Sequence, residues 1–154
     1  LASNYSPVPL VYYIFRLSPF GAPQIKAVKK EQKHYHWDWS LVENPAARFE
    51  NMVASHLLKW AHFRRDTEGE EYELHYLRDQ LGREVDFLLT KKRTPVLMVE
   101  CKFSESDIAP HLAYFKSKFP KVRAVQVVYK GHKHFQNANG IECIPALTFL
   151  REFV

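Results

Sequence analysis

Apolar and polar positions change period several times along this chain, and each change marks an element. Residues 10–17 (LVYYIFRL) are β-branched and aromatic and predict a strand, which "SPFGAP" then breaks. Residues 24–33 are basic and polar and read as either a second hairpin strand or a linker. Residues 34–39 (HYHWDW) alternate with period two and predict another strand. From Asn44 the period becomes helical. Asn44 can cap a helix and Pro45 suits its first position. Phe49, Met52, Val53, His56, Leu57 and Trp60 form one stripe of a helix running to about Phe63, with Glu50 at the stripe's edge. "RRDTEGEE" reads as a loop, and residues 72–77 alternate again as a strand. Ser106 or Asp107 can cap a second helix that ends before Pro120, turning Ile108, Leu112, Phe115 and Phe119 inward. Residues 122–129 predict a buried strand, residues 141–144 a short one, and Pro145 opens a last helix. From residue 44 the order is α-β-β-β-α-β-β-α, which predicts an α/β domain.

Residues 82–102 (GREVDFLLTKKRTPVLMVECK) predict the hairpin that carries the chemistry. Val85, Phe87 and Leu89 share one face of the first strand. Leu97, Val99, Cys101 and Phe103 share one face of the second, so register should bring all seven together. Pairing Leu88 with Met98 leaves residues 91–95 as the loop. That register sets Asp86 opposite Glu100, and Glu84 opposite Lys102. Opposed carboxylates on a ladder have Cβ atoms roughly 5 Å apart. At an effective dielectric near 20 they repel by about 3 kcal/mol. A solvated sheet end with a cross-strand ion pair would offset this. So would a divalent cation, for which oxygen ligands of this kind suit Mg²⁺ or Mn²⁺.

The 154 residues are 46% hydrophobic and 25% charged, enough for one full domain with its own core. Lysine and arginine number 22 against 17 acids, a formal charge of +5 that is compatible with a polyanionic partner. Basic residues gather at residues 91–93, 116–123 and 130–134, where they could meet phosphates. Cys101 and Cys143 sit in apolar runs and read as reduced core residues of a cytoplasmic protein. No apolar run reaches the length of a membrane span. The pairs His34/His36 and His132/His134 lack an evident third zinc ligand and read as ordinary histidines. Leu1 in place of a starting Met predicts a fragment or a processed product.

A helix-borne acid, then a hairpin with Asp86 and Glu100-Cys101-Lys102 separated by 13 residues, resembles the PD-(D/E)XK nuclease superfamily. Here Val85 stands where that pattern has proline. The blocks KHYHWDWSLV, ARFENMVASHLL, YELHYLRDQLGREVDFLL and VECK, within residues 33–102, more closely resemble the C-terminal domain of a family of prokaryotic AAA-type ATPases, itself long labelled as of unknown function. The resemblance implies a restriction-endonuclease-like α-β-β-β-α-β core with a mixed sheet over residues 34–154. It implies a winged-helix tail or linker remnant over residues 1–33, with an ATPase domain expected upstream in the full-length protein. It also implies catalytic roles for Glu50, Asp86, Glu100 and Lys102. Asp86, Glu100 and Glu50 would hold Mg²⁺ or Mn²⁺ against a nucleic-acid phosphate, and Lys102 would orient water. The alternative is a non-catalytic module that positions or regulates the ATPase and keeps the acids as a relic or a structural cation site.

Overall fold

The computed structural model describes residues 13–27 and 31–154. The N-terminal part of the first expected strand, and residues 1–12 and 28–30 of the expected winged-helix tail, lie outside these residues. What remains of that strand is β1 (Ile14–Leu17), paired antiparallel with β2 (Lys33–His36), so that Phe15 faces Tyr35 and Leu17 faces Lys33. Residues 18–27 cover the edge of the main sheet. Phe20 donates its amide to Tyr76 O, Tyr76 donates back to Ser18 O, and Gln80 donates to Lys26 O. An edge strand is thereby capped rather than left open.

Helix α1 (Pro45–Glu68) starts as its sequence requires: the Asn44 side chain accepts from the amides of Ala46 and Ala47. It runs past Phe63 through "RRDTE", where a loop was expected. Gly69 at φ 67° is the actual stop, closing the last carbonyls of Arg64 and Arg65. An Arg64–Glu68 ion pair at 2.8 Å supports the extra turn. Phe49, Val53, Leu57 and Ala61 form the buried stripe.

β3 (Tyr72–Arg78), β4 (Glu84–Lys91) and β5 (Thr94–Ser104) form an antiparallel meander. Then α2 (Pro110–Lys118) crosses over to β6 (Arg123–Lys130), which lies parallel to β5. A two-residue strand β7 (Phe135–Gln136) precedes β8 (Ile141–Pro145) and α3 (Ala146–Leu150). The six-stranded mixed sheet has the order β3-β4-β5-β6-β8-β7, so the fold is α/β as expected. One face packs on α1 and α3 around Phe87, Val99, Val125, Val127 and Phe149. The other packs on α2 around Leu88, Met98, Leu112 and Phe115.

Two local details differ from expectation. The β4–β5 turn is only Lys92-Arg93, both in left-handed backbone at φ 48° and 62°, with a bulge between Leu89 and Thr90 that leaves Val96 of β5 without a partner. A two-residue turn of this hand follows the natural twist of a hairpin better than a five-residue loop. At α2, neither Ser106 nor Asp107 caps the helix. Buried Gln126 reaches across from β6, and its Oε1 accepts the Ala109 amide at 2.8 Å.

Candidate active site

The site begins with a bulge. Leu74 pairs with Leu89 and His75 with Leu88, but Leu77 pairs with Val85, so Tyr76 faces both Asp86 and Phe87. The extra residue reverses the alternation. Val85 joins Leu88 and Leu77 on the α2 face rather than Phe87 on the other, which breaks the seven-residue apolar face expected from alternation. Asp86 turns toward α1. The β4–β5 ladder keeps the expected Leu88–Met98 register but ends at Phe87–Val99, so Asp86 does not sit across from Glu100. Its Oδ2 instead accepts the Cys101 amide at 2.8 Å, a side chain completing the backbone pairing where the strands part.

Around Asp86 the charges are arranged by four elements. Glu50 comes from α1, Glu84 and Asp86 from β4, Glu100 and Lys102 from β5, and Lys33 from β2. The Lys33 ammonium lies 2.5 Å from Glu84 Oε1, 3.4 Å from Glu50 Oε1 and 3.6 Å from Asp86 Oδ1. The Tyr35 hydroxyl donates to Glu50 Oε1 at 2.7 Å. Lys102 donates to Glu100 Oε1 at 2.8 Å. The expected Glu84–Lys102 pair is therefore replaced by two others, because β2 supplies a nearer cation to Glu84. Glu100 Oε2 is buried and has no hydrogen-bond partner.

The electrostatics follow. Burial, then the Glu50 and Glu100 carboxylates, push Asp86 up to about 8, against the weaker pull of Lys33 and the Cys101 amide. Burial works against the Lys33 ammonium, yet Glu50, Asp86 and Glu84 outweigh it and hold its pKa above the ordinary 10.5. Burial also lowers Lys102, and its bond to Glu100 more than compensates. Burial, with Asp86 next, pushes the Cys101 thiol well up, so it is a poor nucleophile.

Of the residues expected from sequence, Glu50 and Asp86 thus meet at one ammonium. Glu100 acts on Asp86 through space, and Lys102 stands on Glu100. They do not all line one open cleft. A cleft of about 620 Å³ beside them is walled by Lys33, Tyr35, Glu50 and Asn51 among others, but not by Asp86, Glu100 or Lys102. Among the described residues, no three His, Cys, Asp or Glu side chains are gathered as a ready metal shell. Sequence reasoning missed Lys33, Tyr35 and Glu84 as members of the site. The only hint was the alternation of KHYH, which puts Lys33 and Tyr35 on one face.

Farther along the same sheet end, Trp39, Arg48, Phe49, Phe103, Tyr129 and Lys130 line a groove of about 300 Å³. Phe103 stacks on Tyr129 with ring centroids 5.3 Å apart, and the Lys130 ammonium lies 5.0 Å from the Phe103 centroid. Several other basic residues are already neutralised: Lys91 by Glu70, Lys133 by Glu105, and Arg123 by Glu142 and Glu152.

No curated protein and no solved structure matches this chain significantly. Residues 46–149, from the first turn of α1 to α3, match the model of a family described as a domain of unknown function, DUF4143. That stretch holds Glu50, Asp86, Glu100 and Lys102, and the chain belongs to this family.

Proposed function

We propose that this domain is a metal-dependent nuclease-like enzyme that hydrolyses phosphodiester bonds. One observation carries the reading: Glu50, Glu84 and Asp86 share the Lys33 ammonium, with Arg78 beside Glu84, and Glu100 stands near them with only one of its oxygens paired, to Lys102. Glu100 Oε2 is buried without a partner, and Asp86 is held up to about 8. Carboxylates set this close are costly unless a cation joins them. The donor set is all oxygen, which fits Mg²⁺ or Mn²⁺. Asp86 and Glu100 would hold the ion, with Glu50 completing its shell or holding a bound water. When bound, such an ion polarises a phosphoryl oxygen and lowers the pKa of a water.

The chain's own groups do the rest. Lys102, one residue beyond Cys101 on β5, would orient the attacking water or steady the charge that develops on phosphate. The Cys101 amide fixes the Asp86 carboxylate through Oδ2 and leaves Oδ1 turned toward the cation position. The aromatic groove, flanked by Arg48 and Lys130, offers rings on which an unpaired base could stack. Nucleic acid is the partner that this charge and these rings suit. Among the described residues no helix is long and apolar enough to cross a membrane. The free Cys101 and Cys143 are in keeping with a cytoplasmic location, and an AAA-type ATPase domain would lie upstream in the full-length protein.

One observation favours a second reading, a non-catalytic module of that ATPase: the Lys33 ammonium already touches three of the four acids. The deciding experiment is cleavage of plasmid and single-stranded substrates with Mg²⁺ or Mn²⁺, alongside Lys102→Ala. Cleavage that both the variant and a chelator abolish assigns the site to catalysis. No cleavage, with no calorimetric Mn²⁺ binding, makes the acids structural.

A further inference from the structure

The cation that touches Glu50, Glu84 and Asp86 together comes from outside the segment that carries the acids. Lys33 lies on β2, and α1 grips that strand through Asn51. The Asn51 side chain accepts the His36 amide and donates to the His36 carbonyl, both at 2.8 Å. From there the ammonium reaches Glu84, Glu50 and Asp86 at 2.5, 3.4 and 3.6 Å. An ammonium has three protons to donate, and three carboxylates surround this one. Two of them, Glu50 and Asp86, are the oxygens assigned above to a divalent ion. A second cation cannot enter among the same oxygens while the first stays, because their repulsion is poorly screened at a half-buried site.

Resting on the metal-dependent reading above, we propose that Lys33 is the resident counter-cation of the site and that a divalent ion binds Glu50 and Asp86 only by displacing its ammonium. The seating of β2 then sets the metal affinity. Glu84, which is not among the assigned ligands, gives the displaced ammonium a partner. Tyr35, on the same strand, keeps Glu50 in place through its hydroxyl. Three acids on one lysine exceed what an ordinary ion pair uses. The partnerless Glu100 Oε2 shows that this lysine does not satisfy the whole cluster.

The test is Mn²⁺ titration, by calorimetry and by the magnetic resonance signal of free Mn²⁺, on the wild type, Lys33→Met and Lys33→Arg. Methionine keeps the length and removes the charge. It is expected to bind Mn²⁺ at least about tenfold more tightly than wild type, while arginine stays near the wild-type value. Melting curves give a second readout. In chelator Lys33→Met should melt below wild type, and Mn²⁺ should raise its melting temperature more than it raises that of wild type. If Lys33→Met is unfolded in chelator, Mn²⁺ should restore its circular dichroism, and failure to do so overturns the proposal. Equal Mn²⁺ affinity in wild type and Lys33→Met overturns displacement but leaves the metal site standing. No Mn²⁺ binding by any of the three overturns both.

Discussion

Replacing Asp86 by asparagine should make the metal-free domain more stable, although it removes a residue the proposed chemistry needs. Asp86 keeps its proton up to about 8, against an ordinary value of 3.8, chiefly because it is buried and then because Glu50 and Glu100 are near. The unfolded chain releases this proton near pH 4. Across the window from about pH 4 to about pH 8 the folded chain therefore holds a proton that the unfolded chain has lost, and stability falls as pH rises. Each factor of ten in proton affinity carries about 1.4 kcal/mol, so ionising Asp86 costs the fold at most about 5 kcal/mol at pH 8. Water entry and local relaxation remove much of such a cost, and about 2 kcal/mol is the expected gain. Asparagine keeps an oxygen for the Cys101 amide, so the backbone pairing survives. The assay is urea unfolding in chelator near pH 8 and near pH 5. The gain should be clear at the higher pH and smaller at the lower. A variant no more stable than wild type at pH 8, with an unchanged denaturant slope, would refute the claim that this carboxylate is held against its own charge.

Asn51→Ala should free β2. It leaves the His36 amide and carbonyl without their partners, at a cost of about 2 kcal/mol, and hydrogen exchange at the His36 amide should speed up well before the sheet opens. Gln126→Ala should cost about 3 kcal/mol by urea unfolding. It orphans the buried Ala109 amide and empties a fully buried space beneath α2.

The parts of the fold legible in the sequence were those where one periodicity ran unbroken. The stripe from Phe49 to Leu57 needs only a helix with one wet side, and it forms. The Leu88–Met98 register follows from alternation once apolar residues are also matched across the hairpin. Legibility failed where one residue answered to a distant one. Tyr76 faces two residues of β4, and nothing in "REVDFLL" announces that bulge. Alternation therefore misassigned Val85 and set Asp86 across from Glu100. Gln126 sits in a strand otherwise made of apolar residues, and its role as the cap of α2 shows only once β6 lies under Ala109. Gly69 could have been read as the helix stop, since the acids and arginines before it favour a helix as readily as a loop.

The same division runs through the site. Glu100 and Lys102 are two apart on one strand, so their meeting needs only a strand. The meeting of Glu50 and Asp86 needs the bulge as well, because unbroken alternation would aim Asp86 at the α2 face. Their neutralisation needs a third element, β2, which lies outside the stretch that matches the family. Chemistry and charge balance are thus held by different parts of the chain. The acids are fixed by α1 and the rigid centre of the sheet, while their counter-cation rides on a four-residue strand held by Asn51 and the pairing with β1. Any partner that pulls on that strand changes the charge at the acids without touching them. On the proposed reading, moving that strand would favour or refuse a divalent ion while every carboxylate stays where it is.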